Sequence, residues 1–229
     1  MSGLTCREPN ERAPVYSLMT QNIRMCLAPL LLPLLMSVGG CAIFGGGGEP
    51  PERPSDACAI FSEKDDWYPA TRESEKRWGV PVALQMAFIK QESGFDADAQ
   101  PPRRRFLGLI PSTRPSSAYG YSQALDSTWE NYVRDTGNRG ADRDNFGDAT
   151  DFIGWYCTVS HRKLGLAKND AYNQYLAYHE GHGGYARRTY ERKDWLLKVA
   201  RKVEAQTQRY NEQLMHCGAE LEEQDDGWW

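Results

Sequence analysis

Residues 81–95 read Pro-Val-Ala-Leu-Gln-Met-Ala-Phe-Ile-Lys-Gln-Glu-Ser-Gly-Phe, and they constrain the fold more than any other stretch. Pro81 suits the first turn of a helix, where its missing N–H has no partner to lose. Val82, Leu84, Met86, Ala87, Phe88 and Ile89 then make the helix apolar around most of its circumference. Such a helix has to be enclosed by other elements, so it belongs in a core. It ends at Gln91-Glu92-Ser93-Gly94, with the glycine placed to break it. Glu92 therefore meets apolar packing and the negative end of the helix dipole together. Both raise a carboxyl pKa, as a general acid working near neutral pH requires. From this helix alone, a solvated terminal carboxylate remains an open alternative.

The amino-terminal 40 residues have a different character. Leu27–Val38 reads LAPLLLPLLMSV, preceded by Arg24 and followed by Gly39-Gly40-Cys41. Twelve apolar residues with two prolines fall short of the roughly 20 that a membrane span needs. They fit the hydrophobic region of a secretory signal, of about 7–15 residues. Val38-Gly39-Gly40-Cys41 resembles the lipobox of bacterial lipoproteins, where cleavage exposes a cysteine that receives lipid. A plain secretory signal cut near Gly40 is the alternative. Met19 or Met25 would give a start of more usual length. If Cys41 is lipidated, the chain is anchored to a membrane facing the periplasm. Ala42, rather than aspartate, in second position implies the outer membrane of a Gram-negative cell. Residues 41–57, rich in Gly and Pro, read as the lipidated cysteine followed by a flexible linker.

Residues 1–40 hold three Arg and two Glu, so the remainder keeps 24 basic and 29 acidic groups. That balance argues against nucleic acid, whose binding leaves a basic footprint. Cys58 and Cys217 stand at the two ends of the folded part, the positions for a disulfide in an oxidising compartment. Cys157, inside the apolar run Phe152-Ile-Gly-Trp-Tyr-Cys157, reads as a buried free thiol. No Cys/His spacing of a zinc site is present, and no cofactor is implied. His179 and His182 lack the four-residue separation of a His-Glu-x-x-His site. The run from Asp142 to Gly147 begins like a calcium loop but lacks its ligands at Phe146 and Ile153.

Helical patterning dominates after Cys58. The sequence predicts helices over 63–78, 81–92, 126–136 with Asp126 as N-cap, 148–164 and 170–179, and one or two over 185–214. Residues 93–118 carry four prolines and read as a long loop with at most a small hairpin. The segment from Gly218 is acidic, ends in Trp228-Trp229 and is expected to be disordered. The fold class is mainly α, one domain over residues 58–217.

Three short segments carry the chemistry: Gln91-Glu92-Ser93-Gly94-Phe95, Ala118-Tyr-Gly120-Tyr121-Ser122-Gln123-Ala124, and Ala177-Tyr178-His179-Glu180-Gly181. In this order they resemble the lysozyme-like domain of lytic transglycosylases, the fold shared with goose-type lysozyme. Glu92-Ser93 matches that family's Glu-Ser motif, Gly120–Gln123 its Gly-Leu-Met-Gln segment, and Ala177–Gly181 its Ala-Tyr-Asn-x-Gly segment. The chain departs from the pattern at Tyr121-Ser122, in place of an apolar pair, and at His179, in place of asparagine.

The resemblance implies a peptidoglycan lytic transglycosylase that binds glycan strands and cleaves the β-1,4 bond between N-acetylmuramic acid and N-acetylglucosamine, leaving 1,6-anhydro ends. Glu92 is the catalytic candidate. Tyr178 is assigned to orienting Glu92 or the substrate, with a core tyrosine as the rival reading. Ser93 is a candidate hydrogen bond near Glu92, Gln123 a sugar-amide contact, and Tyr119 and Tyr121 stacking walls or core residues. Glu180 is a candidate second carboxylate; pairing with an arginine of the 103–105 run, or facing water, is the bland reading. That basic run could itself meet substrate carboxylates. A lysozyme-type muramidase using Glu180 or Asp96, and a non-catalytic peptidoglycan-binding lipoprotein, are the competing functions. Nothing in the sequence implies more than a monomer.

Overall fold

The apolar helix expected at 81–92 is α3, Val82–Glu92, and it occupies the centre of a helical domain. The structure, a computed structural model, describes residues 48–226 apart from 104, 107–109 and 112. Every residue from Val82 to Ile89 is buried. Burying side chains the size of Leu84, Met86, Phe88 and Ile89 stabilises the fold by roughly 1.5–3 kcal/mol each. Gln85 is tolerated among them because its amide donates to Val80 O at 2.8 Å, tying α3 to the turn before it.

Around α3 stand α1 (Ala57–Glu63), α2 (Trp67–Trp78), α4 (Asp126–Thr136), α5 (Phe146–Leu164), α6 (Ala171–Ala186) and α7 (Asp194–Asp226). A 3-10 turn at Thr189–Arg192 links the last two. The proline-rich loop contains one antiparallel hairpin, β1 (Arg105–Phe106) with β2 (Ile110–Pro111), in which Phe106 pairs with Ile110. The domain is mainly helical and lysozyme-like.

The helix expected over 63–78 begins only at Trp67, because α1 ends at Glu63 and the chain leaves helical geometry at Lys64. The break turns Trp67 inward, where its ring stacks on Phe146 at 3.8 Å and 4°. The helix expected from Asp148 starts at Phe146, capped by the Asn145 side chain, which accepts from Asp148 N. Asp126 is the first residue of α4 rather than its cap, and pairs with Arg143 at 2.8 Å. Asp151 on α5 gathers three neighbours, accepting from Trp78 Nε1 at 2.6 Å, Tyr132 Oη at 2.8 Å and Arg77 at 3.0 Å. One buried-edge carboxylate thereby fastens α2 and α4 to α5.

Both expected ends of the domain need correction. The linker reading fails from Pro51 onward, since Pro51 is buried and the strap behind it is fastened to α3 and α7. Lys90 donates to Ser55 Oγ at 2.6 Å, Tyr210 donates to Pro54 O, and Gln213 accepts from Ala57 N at 2.8 Å. The Cys58–Cys217 disulfide joins the same two pieces. At the other end, α7 continues helical to Asp226, past the expected onset of disorder at Gly218. Leu221 is buried there, and Arg72 on α2 reaches Glu222 at 3.0 Å. Residues 1–47, with the expected signal and Cys41, and Trp228-Trp229 lie outside the described residues.

Candidate active site

Glu92 occupies the last turn of α3, partly open to solvent yet packed round by protein. Burial raises its carboxyl from 4.5 to about 7, and the facing Tyr175 hydroxyl opposes part of that rise. The turn that leaves Glu92 there is built by Ser93. Its hydroxyl donates to Ile89 O at 3.1 Å and accepts from Phe95 N at 3.2 Å. Gly94 and then Phe95 follow with φ of 65° and 69°. Phe95, a bulky residue in a conformation that disfavours one, is held by complete burial and by stacking on Trp67 at 5.7 Å. Ser93 thus shapes the backbone rather than bonding to the Glu92 carboxyl.

The second segment is a tight turn that only glycine can begin. Gly120 has φ of 73°, and a Cβ there would come within 2.1 Å of Arg143 O. That close approach lets Tyr121 N donate to the same carbonyl at 3.1 Å. Tyr121, expected as a stacking wall or a core residue, is in the core, edge-on to Trp67 and Phe146. Its apolar surroundings explain why the ring is drawn inward, and burial pushes its hydroxyl up to about 12. Tyr119 is also engaged, its hydroxyl lying 3.1 Å from Asp98 and 2.9 Å from Asp144. Gln123, expected to meet a sugar amide, donates its own amide to Ala99 O at 2.8 Å and Gly120 O at 2.9 Å. Only its Oε1 is left for a ligand.

The third segment reaches both of the others. Tyr178 on α6 packs edge-on against Phe88 of α3 and donates to Ser122 O at 2.6 Å. The three segments read as one constellation in the sequence are therefore brought together, with Tyr178 as the tie. Its proton goes to a backbone carbonyl, so it does not orient Glu92 through its hydroxyl. Tyr175, one turn earlier on the same face, is the tyrosine whose hydroxyl opposes the Glu92 shift. The sequence reading missed it; the i, i+3 spacing to Tyr178, across from Phe88 and Glu92, is the signal that could have found it.

Glu180 is enclosed, and its partners come from α6 and the turn before α7. Its side chain is 3% exposed and takes Lys193 Nζ at 2.6 Å, His179 Nδ1 at 3.1 Å and the Thr189 hydroxyl. Desolvation alone would raise its pKa, but the hydrogen bonds from Lys193, Thr189 and His179 outweigh it and hold the carboxyl at about 2. Asp96 is exposed and accepts from Asp98 N at 2.9 Å. His182 stacks on Tyr156 at 4.6 Å and meets Ser160 Oγ at 3.0 Å. Burial, with Lys163 nearby, lowers its pKa to about 4, so it is a neutral packing residue at pH 7. Cys157 is buried and unpaired, and burial pushes its thiol well up.

A helical domain whose central helix ends in one half-buried acid, beside a tyrosine-bearing helix tied to a glycine turn, has the lysozyme-like fold. The family model described as Transglycosylase SLT domain matches residues 29–217, and the chain belongs to that family. The family's members are peptidoglycan-cleaving transglycosylases, so peptidoglycan is the substrate class. No curated protein matches the chain.

Proposed function

We propose that this protein cleaves the β-1,4 bond between N-acetylmuramic acid and N-acetylglucosamine, with Glu92 as its single acid and base and a 1,6-anhydro end as product. The observation that carries the proposal is the Glu92 carboxyl, raised by burial to about 7. At neutral pH such a group is a mixture of acid and carboxylate, so it can both give and take a proton. Protonated Glu92 gives its proton to the glycosidic oxygen as the C1–O bond breaks. The carboxylate then takes the proton of the C6 hydroxyl as O6 bonds to C1. Glu92 returns to its acid form, and no water is consumed.

The environment of Glu180 favours this reading over a hydrolase. Two-carboxylate hydrolysis needs a second free carboxylate at about 5–10 Å. Glu180 is committed to Lys193, Thr189 and His179. Digestion of purified sacculi tests the assignment: anhydro-ended muropeptides are expected, and Glu92→Gln should lower their release by at least about a thousandfold, the scale on which single-group catalysis is lost. Reducing ends as the main product would establish a muramidase, and no release at all a binding protein.

The anchor belongs to the same reading. Val38-Gly39-Gly40-Cys41 supports lipid on Cys41, and Ala42 supports the outer membrane, periplasmic face. With the strap fixed to the domain from Pro51, the domain would stand within about ten residues of the membrane, at most ~35 Å of extended chain. Cys41→Ala should shift the protein from membrane to soluble fraction; undiminished membrane association would rule the anchor out.

A further inference from the structure

The committed ion-pair cluster around Glu180 has one product at the surface. Lys193 lies just before α7, and Glu180 just before the break in α6 at Gly181, whose φ and ψ are 70° and 158°. Their bond, with that of Thr189, holds the end of α6 against the start of α7. Two side chains are set in place by this clamp. Glu180, as a carboxylate, can only accept, so His179 presents Nδ1–H to it, and Nε2 has no hydrogen-bond partner among the described residues. Trp195, in the first turn of α7, lies across the His179 ring at 5.1 Å and 77°. Trp195 is 54% exposed and His179 35%, so the pair forms a surface rather than a packed contact.

Its position relates it to the chemistry. His179 stands four residues after Tyr175, on the same face of α6, about 6 Å along the helix. Tyr175 is the residue whose hydroxyl faces Glu92. An exposed indole whose adjoining ring nitrogen lies one turn along α6 from the tyrosine that faces the acid has the makings of a saccharide platform. The C–H face of a pyranose packs on an aromatic plane, and the ring nitrogen meets a hydroxyl or N-acetyl group at its edge.

We infer that Trp195 and His179 form a saccharide-binding subsite beside Glu92, Trp195 stacking on a pyranose of the glycan strand and His179 hydrogen-bonding the same sugar. Glu180, Lys193 and Thr189 position the pair and do not touch the substrate. This rests on the peptidoglycan reading above, and its test is independent of turnover. Co-sedimentation with purified sacculi is measured in the Glu92→Gln background, where substrate is not consumed. Adding Trp195→Ala should weaken binding about tenfold, the factor equivalent to ~1.4 kcal/mol. Trp195→Phe should restore most of it, because a ring is kept.

In the enzyme with Glu92 intact, Trp195→Ala should raise KM with little change in kcat, at an unchanged melting temperature. Binding and KM within twofold of the parent for both Trp195→Ala and His179→Ala would overturn the subsite. If the parent protein releases no muropeptides but Trp195→Ala still weakens sacculus binding, the catalytic reading fails and the subsite stands.

Discussion

A carboxyl that titrates near neutrality stabilises a reaction and destabilises a fold. Glu92 has a folded pKa of about 7 against 4.5 in the open chain. Between those values the native state binds more protons than the unfolded one, so stability falls as pH rises through that window. Below pH 4.5 nothing is lost; above 7 the full penalty is present. A shift of this size corresponds to about 3 kcal/mol, an upper figure because the residue keeps some contact with water. Glu92→Gln removes the ionisation and keeps the shape. It should therefore melt about 5 °C above the parent at pH 8 and no higher at pH 4.5, as read by calorimetry. A uniform change at both pH values would mean that Glu92 is not held protonated by burial. Glu180 works in the opposite direction. Held at about 2, it adds stability above pH 4.5 that is lost only as pH falls toward 2. The two acids thus place their losses on opposite sides of the pH range.

Secondary elements were legible where one local rule governed them. α3 followed from its continuous apolar circumference, and α5 and α6 from caps and spacing, because those signals lie within a single helix. What depended on a partner was not legible. The break at Lys64 exists to turn Trp67 onto Phe146, some 80 residues away, and no local pattern announces it. α7 outruns its expected end because Leu221 is buried and Glu222 meets Arg72 on α2, contacts that composition cannot show. The candidate site divides in the same way. Its three segments and Glu92 were visible as short patterns, yet hydroxyl and amide partners were not, so Tyr175 was missed and Gln123 and Tyr121 were left open between substrate contact and packing.

Gly120 was legible as part of a pattern but not for its reason, which is the 2.1 Å approach of a would-be Cβ to Arg143 O. Gly120→Ala is expected to cost about 2–4 kcal/mol, from the positive φ and the clash with backbone. It should also displace Ser122, the acceptor for Tyr178, so activity should fall at temperatures where the variant is still folded. Full activity in a folded Gly120→Ala protein would show that the turn is not part of the site.

The strap and the long carboxy-terminal helix close the domain through Cys58 and Cys217, neither of which belongs to the three segments of the site. The Cys58–Cys217 bond spans 159 residues. In the chain-entropy account, a crosslink of that span stabilises the fold by about 5 kcal/mol, chiefly by restricting the unfolded chain. The folded state does not depend on it alone for geometry. Tyr210 to Pro54, Gln213 to Ala57 and Lys90 to Ser55 hold the same strap by hydrogen bonds on either side of the bridge. Removing the sulfur atoms should therefore leave the native arrangement of α3, α6 and the 119–124 turn intact while enlarging the unfolded ensemble.

The double variant Cys58→Ser/Cys217→Ser is expected to melt about 10–15 °C lower, given 2–4 °C per kcal/mol for a domain of this size. Its kcat and KM on sacculi at 25 °C should match the parent, and reduction of the wild-type protein should reproduce the same drop. Cys157, buried with its thiol protonated, should stay unreactive to thiol reagents in both proteins until they unfold. A fall in kcat well below the melting point would show that the strap communicates with Glu92. An unchanged melting temperature would show that the crosslink adds nothing to stability by restricting the unfolded chain.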